Sequence, residues 1–119
     1  MGLFRKKPKK EVQLPDFSDV TSYEKAIALV QEGKLEKIYI IPLEYEGGEH
    51  LENRTFTTPR IAKLKARDEL IIHDMVYMGG ADTYSCEPVY RGESVVPCSF
   101  RIEAIRNGHV SFSEELKVW

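Results

Sequence analysis

The chain has 119 residues, 42% hydrophobic and 30% charged, with a formal net charge of −2. That is enough chain to bury a core without metal or disulfide support, and its composition excludes a disordered or collagen-like protein. The longest apolar run, Ile38 to Leu43, is far short of a bilayer span. Two cysteines, and a basic start with no apolar leader after it, point to free thiols in a reducing compartment, the cytoplasm.

The small net charge hides a division. The opening "MGLFRKKPKK" contains Arg5, Lys6, Lys7, Lys9 and Lys10, so residues 11–119 carry twelve positive against nineteen negative charges, a net of −7. Residues 1–18 lack apolar periodicity and include Pro8 and Pro15. They read as a basic flexible arm ahead of one domain at 19–119. The tail cations are a generic attraction for nucleic acid, anionic lipid or a protein, whereas the acidic body opposes phosphate. Lys6 stands where N-myristoylation would want serine or threonine.

The first regular element is "TSYEKAIALVQEG". Thr21 precedes Glu24 by three residues, the spacing of a reciprocal cap; Tyr23, Ala26, Ile27 and Val30 share a face, and Gly33 can end the helix in the left-handed region. "KIYIIPLEYEGG" then alternates Tyr39, Ile41, Leu43 and Tyr45, a strand in which Pro42 demands an edge or a bulge. "RTFT" is a further short strand before Pro59. The next stretch, "PRIAKLKARDELIIHDMVYMGG", admits two readings. One is a single helix capped by Thr58 and ending at Gly79, with Ile61, Leu64, Ile71, Met75 and Met78 as its stripe. The other, preferred on β-branched content, is a short helix to Arg67 and then a strand "LIIHDMVYM" beside "TYSCEPVY". Last, Phe100, Ile102 and Ala104 alternate before Asn107-Gly108, a tight-hairpin dipeptide, with Val110 and Phe112 following. The pattern predicts an α+β fold: a small single domain, one or two helices packed on a largely antiparallel sheet of five or six strands.

The chemistry is sparse. Cys86, Cys98, His50 and His73 lack the close spacing of a zinc site, so no metal or other cofactor is implied. Glu44, Glu46, Glu49 and Glu52 surround His50, and Asp74 adjoins His73; each is a minimal general-base pair, and neither comes with a nucleophile or oxyanion motif. No catalytic residue is assigned. Tyr39, Tyr45, Phe56, Tyr77, Tyr84, Tyr90, Phe100 and Phe112 are interleaved with the strands and offer either a base-stacking platform or, more simply, a core. "CEPVYRGESVVPC", residues 86–98, reads as a conformationally restricted crossing between strands. Its Tyr90, Arg91 and Glu93 are the candidate binding residues, because an amphipathic ring and a rigid guanidinium are among the side chains most often found as hot spots. The expected function is a non-enzymatic domain that binds another protein or its own copy as a homodimer. The alternatives are nucleic-acid binding by the arm and sheet aromatics, and a small acid–base enzyme.

Overall fold

A computed structural model describes residues 13–45 and 47–119; the arm residues Arg5, Lys6, Lys7, Lys9 and Lys10, and Glu46, lie outside the described residues. Among the described residues no helix is long and apolar enough to cross a membrane. Phe17, inside the stretch read as an arm, is a core residue, and its carbonyl accepts a hydrogen bond from Ser94 Oγ at 2.8 Å.

The first helix, α1, spans Tyr23–Gln31. Its cap is Ser22, whose hydroxyl accepts from Lys25 N at 3.2 Å, not Thr21 as the spacing predicts. Two hydroxyl residues in succession can each cap, and Thr21 Oγ1 instead meets Lys25 Nζ at 3.4 Å. The helix ends at Gly33 as expected, with φ of +76° and the hydrogen bond Lys34 N to Leu29 O at 2.9 Å.

Strands β1 (Glu36–Tyr39) and β2 (Arg54–Thr57) form a two-stranded antiparallel ribbon pairing Glu36 with Thr57 and Tyr39 with Arg54. The strand expected to continue through Tyr45 stops here. Beyond Ile40 the ladder is replaced by the Asn53 amide, which accepts from Ile41 N at 2.7 Å and donates to Ile41 O at 2.8 Å and Gly48 O at 2.9 Å. Pro42 has no N–H to continue the pairing, and Leu43–Tyr45 closes into one 3-10 turn.

Helix α2 runs unbroken over Pro59–Tyr77, which corrects the preferred reading of a short helix followed by a strand. Thr58 Oγ1 accepts from Ile61 N at 3.3 Å and Pro59 opens the helix, so the start is as the sequence predicts. Its buried line is Ile61, Lys65, Asp68 and Ile72. Two of these core-facing residues are charged. The β-branched run is held helical by tertiary contact: Ile72 is fully buried.

Strands β3 (Thr83–Val89), β4 (Ser99–Arg106) and β5 (His109–Lys117) form an antiparallel meander. The five strands of the described residues therefore lie in two sheets, of two and three strands, not in one. The partner expected for "TYSCEPVY" is helical, and among the described residues β3 pairs with β4 alone. Asn107 and Gly108 turn the last hairpin with φ of 51° and 78°. Phe100, Ile102 and Ala104 are fully buried, as their alternation predicts. Val110 is exposed because a register shift between Ala104 and Ile105 sets it opposite Ile105.

The register places Cys86, Ile102 and Glu114 side by side on the core-facing side of the meander. Asp68, fully buried, meets Arg67 at 3.1 Å, and Arg67 reaches across to Glu114 at 2.9 Å. Asp68 Oδ2 is buried without a hydrogen-bond partner among the described residues. Burial first, then the Glu114 carboxylate, push its pKa from 3.8 up to about 6 against the pull of Arg67. The folded chain thus binds the extra proton between those two values, so this group adds stability as pH falls through about 6 and withdraws it as pH rises. Asp68→Asn is expected to lack that slope: its melting temperature relative to the native chain should be higher at about pH 7 than at about pH 5. An equal difference at both pH values, in thermal melts followed by circular dichroism, counts against it.

Candidate functional site

Lys65 and Glu69 lie one helical turn apart on α2 and meet at 2.5 Å, although the Lys65 side chain is only 2% exposed. The ammonium also donates to Tyr39 O at 2.9 Å and stands 6.0 Å from the Tyr84 ring. Tyr84 stacks on Tyr45 with centroids 5.4 Å apart, and the Tyr45 hydroxyl donates to the Glu69 carbonyl at 3.3 Å. One buried cation therefore joins α2 to β1 and lies under the aromatic pair. Burial raises the pKa of both the Tyr84 hydroxyl and the Cys86 thiol; neighbouring Cys86 adds to the first, and Lys65 opposes the second. Both groups stay protonated at neutral pH.

The Tyr39 carbonyl is on the outer edge of β1. Ile40 N donates to Asn53 O at 2.8 Å, so Ile38–Thr55 and Glu36–Thr57 are hydrogen-bonded pairs, and Lys37 and Tyr39 turn their backbone groups outward. Lys65 takes the Tyr39 carbonyl. Among the described residues nothing takes the Lys37 N–H, the Lys37 C=O or the Tyr39 N–H. Along this edge runs a groove of about 450 Å³. Its walls are Glu36, Ile38 and Tyr39 of β1, Pro42 to Glu44 of the turn, and Ala62, Lys65, Ala66 and Glu69 of α2. The two alanines, one turn apart, keep the helix wall low.

The residues singled out by sequence are distributed differently. In the connection between β3 and β4, Tyr90 is half-exposed with its hydroxyl 3.2 Å from Thr55 Oγ1. Arg91 stacks over the Trp119 ring at 5.0 Å, and Glu93 is exposed. The connection is fastened at its base: Trp119 Nε1 donates to Val96 O at 3.0 Å, Val95 N to Val20 O at 2.9 Å, and Cys98 N to Val89 O at 2.7 Å. Cys86 and Cys98 are both free thiols. His73 Nδ1 and Asp74 Oδ1 are 3.9 Å apart on the exposed side of α2, and His50 is exposed beside Glu49 and Glu52. Among the described residues neither imidazole lies in an enclosed acid–base pair. Of the interleaved aromatics, Phe56 and Phe100 are core and Tyr84 is covered by Tyr45, while Tyr77 and Tyr90 are exposed on separate elements.

Lys65 and Glu69 were not singled out by sequence, and an edge at this strand was anticipated only from Pro42. The available signal was the charged pair at helical spacing inside "AKLKARDEL", where a core stripe should be apolar. Comparison of the chain with protein-family models, with curated proteins and with solved structures finds no match.

Replacing Lys65 by Met keeps the volume but leaves Tyr39 O without its donor and the Glu69 carboxylate without its cation. The variant is expected to lose about 1–3 kcal/mol of stability in urea unfolding. Full native stability would show that the ammonium joins nothing of consequence.

Proposed function

We propose that the chain is a cytoplasmic protein-binding domain that takes up an extended basic segment of a partner by strand addition along β1. One observation supports this most directly: among the described residues the outward Lys37 backbone groups have no partner, and they lie beside a groove of about 450 Å³. A strand laid there would exchange hydrogen bonds with Lys37 and donate none to Tyr39 O, which Lys65 already occupies. Its inward side chains would rest on Ile38, Pro42, Leu43 and the two alanines. Glu36 and Glu44 are exposed carboxylates on the rim, and the Lys65 charge is already met by Glu69, so the groove attracts a basic segment. The two free thiols suit a reducing compartment.

The sequence supplies one such segment itself. Residues 5–10 contain five cations, so a second copy of the chain is a natural source, and the self-associating reading rests on that charge match. In a chain lacking residues 1–10, the peptide "MGLFRKKPKK" is expected to shift amide resonances of Glu36–Tyr39 and Ala62–Glu69 in a nuclear magnetic resonance titration. Ala66→Arg, which fills the groove and adds a like charge, should weaken that binding about tenfold or more. Shifts confined to other residues overturn the reading. Binding of a single-stranded oligonucleotide by the truncated chain, with no response to the peptide, would favour the nucleic-acid alternative.

If the segment comes from a second copy, light scattering should find the full chain dimeric at high concentration and the truncated chain monomeric. A full chain that stays monomeric leaves only a foreign partner.

A further inference from the structure

The β1–β2 ribbon has a second surface that the strand edge does not use. Lys37 lies directly opposite Phe56 and Tyr39 opposite Arg54, so these four side chains share one face of the pleat. Helix α1 closes one side of it: the Tyr23 ring meets Phe56 edge-on, with centroids 5.7 Å apart and planes at 60°. Between them is a cavity of about 210 Å³ lined by Tyr23, Lys37, Leu51, Arg54, Thr55 and Phe56. Phe56, 6% exposed, makes an apolar floor, and Leu51, 81% exposed, stands at the rim. Thr55 is braced from outside by the Tyr90 hydroxyl at 3.2 Å.

Two cations border this cavity, and neither has a carboxylate within ion-pair distance among the described residues. Lys37 Nζ spends one donor on the Tyr23 hydroxyl at 3.0 Å and lies 5.6 Å from that ring. The Arg54 guanidinium is 5.7 Å from the Tyr39 ring, and its Nε is buried with no acceptor among the described residues. Both are held on aromatic rings with donors left over.

We infer that this cavity binds a small carboxylate carried on an aromatic or apolar body. The carboxylate meets the donors of Arg54 and Lys37, and the body covers Phe56 and Leu51. The guanidinium presents parallel donors that match a planar carboxylate, and an apolar ring on Phe56 removes that floor from water. Two cations are few for a polyphosphate or a nucleic-acid strand, and they suit a single negative charge. This inference is independent of strand addition, since it uses the side chains of Lys37 and Arg54 and not the backbone edge.

Phenylacetate is the probe. Titrated into the full chain, it is expected to give saturable amide shifts at Lys37, Leu51, Arg54 and Phe56, with a dissociation constant of about the millimolar order for a ligand of this size. Phenylacetamide, the same body without the charge, and acetate, the charge without the body, should each bind about tenfold or more weakly. Arg54→Gln and Lys37→Met should weaken phenylacetate to a similar degree with the remaining spectrum intact, which separates lost binding from lost fold. Absence of saturable shifts for phenylacetate overturns the inference. Equal binding of phenylacetamide would also overturn it, because the cavity would then be only an apolar crevice. A peptide with a free C-terminal phenylalanine that binds more tightly than phenylacetate would identify a protein terminus as the source of the same chemistry.

Discussion

The Lys65 ammonium occupies the place of a missing strand. In a continuous sheet, the outward carbonyl of Tyr39 would accept from the backbone of a neighbour; here it accepts from a helix side chain at 2.9 Å. A buried lysine is tolerated only when its charge is matched and its donors are used, and Glu69 supplies the match from the next turn of the same helix. This arrangement lets one chain hold two separate sheets with α2 between them. Among the described residues it also leaves the rest of the β1 edge uncovered, since one amine satisfies one carbonyl and the Lys37 groups stay outward. The architecture and the groove are two consequences of the same contact.

A polar interior of this kind has a chemical cost visible in its neighbours. Asp68 is pushed up to about 6, and the Tyr84 hydroxyl and Cys86 thiol are both raised, burial being the first cause in each case. The charges under α2 run in two short chains: Lys65 with Glu69 toward the ribbon, and Asp68 with Arg67 and Glu114 toward the meander. The helix touches both sheets through polar contacts as well as apolar ones. Register is thereby specified at both sides, because a shift of one residue would carry either charge away from its partner.

The connection from residue 90 to 98 serves the fold more than its residue types imply. Val96, Pro97 and Cys98 are buried, Ser94 fastens Phe17, and Trp119 is clasped between the Val96 carbonyl and the Arg91 guanidinium. Its Tyr90 still reaches a functional candidate, but indirectly, by bracing Thr55 at the wall of the ribbon cavity. Hot-spot residue types in a loop are therefore an incomplete guide: the same ring and guanidinium that suit an interface also suit the packing of a chain segment against its own core.

How much could be read without coordinates follows from the range of each interaction. Gly33 ending α1, Thr58 and Pro59 opening α2, Asn107-Gly108 turning the last hairpin and the buried alternation of Phe100, Ile102 and Ala104 were all legible in the sequence. Each is decided within a few residues by backbone sterics, a local hydrogen bond or strand periodicity. The unbroken α2 was only one of two readings the sequence allowed, and the early end of β1 at Asn53 and the division into two sheets were not legible. They depend on Lys65 meeting Tyr39, Asn53 meeting Ile41 and Arg67 meeting Glu114. The sequence by itself determined the class of the fold and its local starts and stops. Which charged side chains go inside, and so where the open edge and the two-cation cavity lie, was decided only by the tertiary structure, because a buried charge is acceptable only beside a partner that the linear order does not reveal.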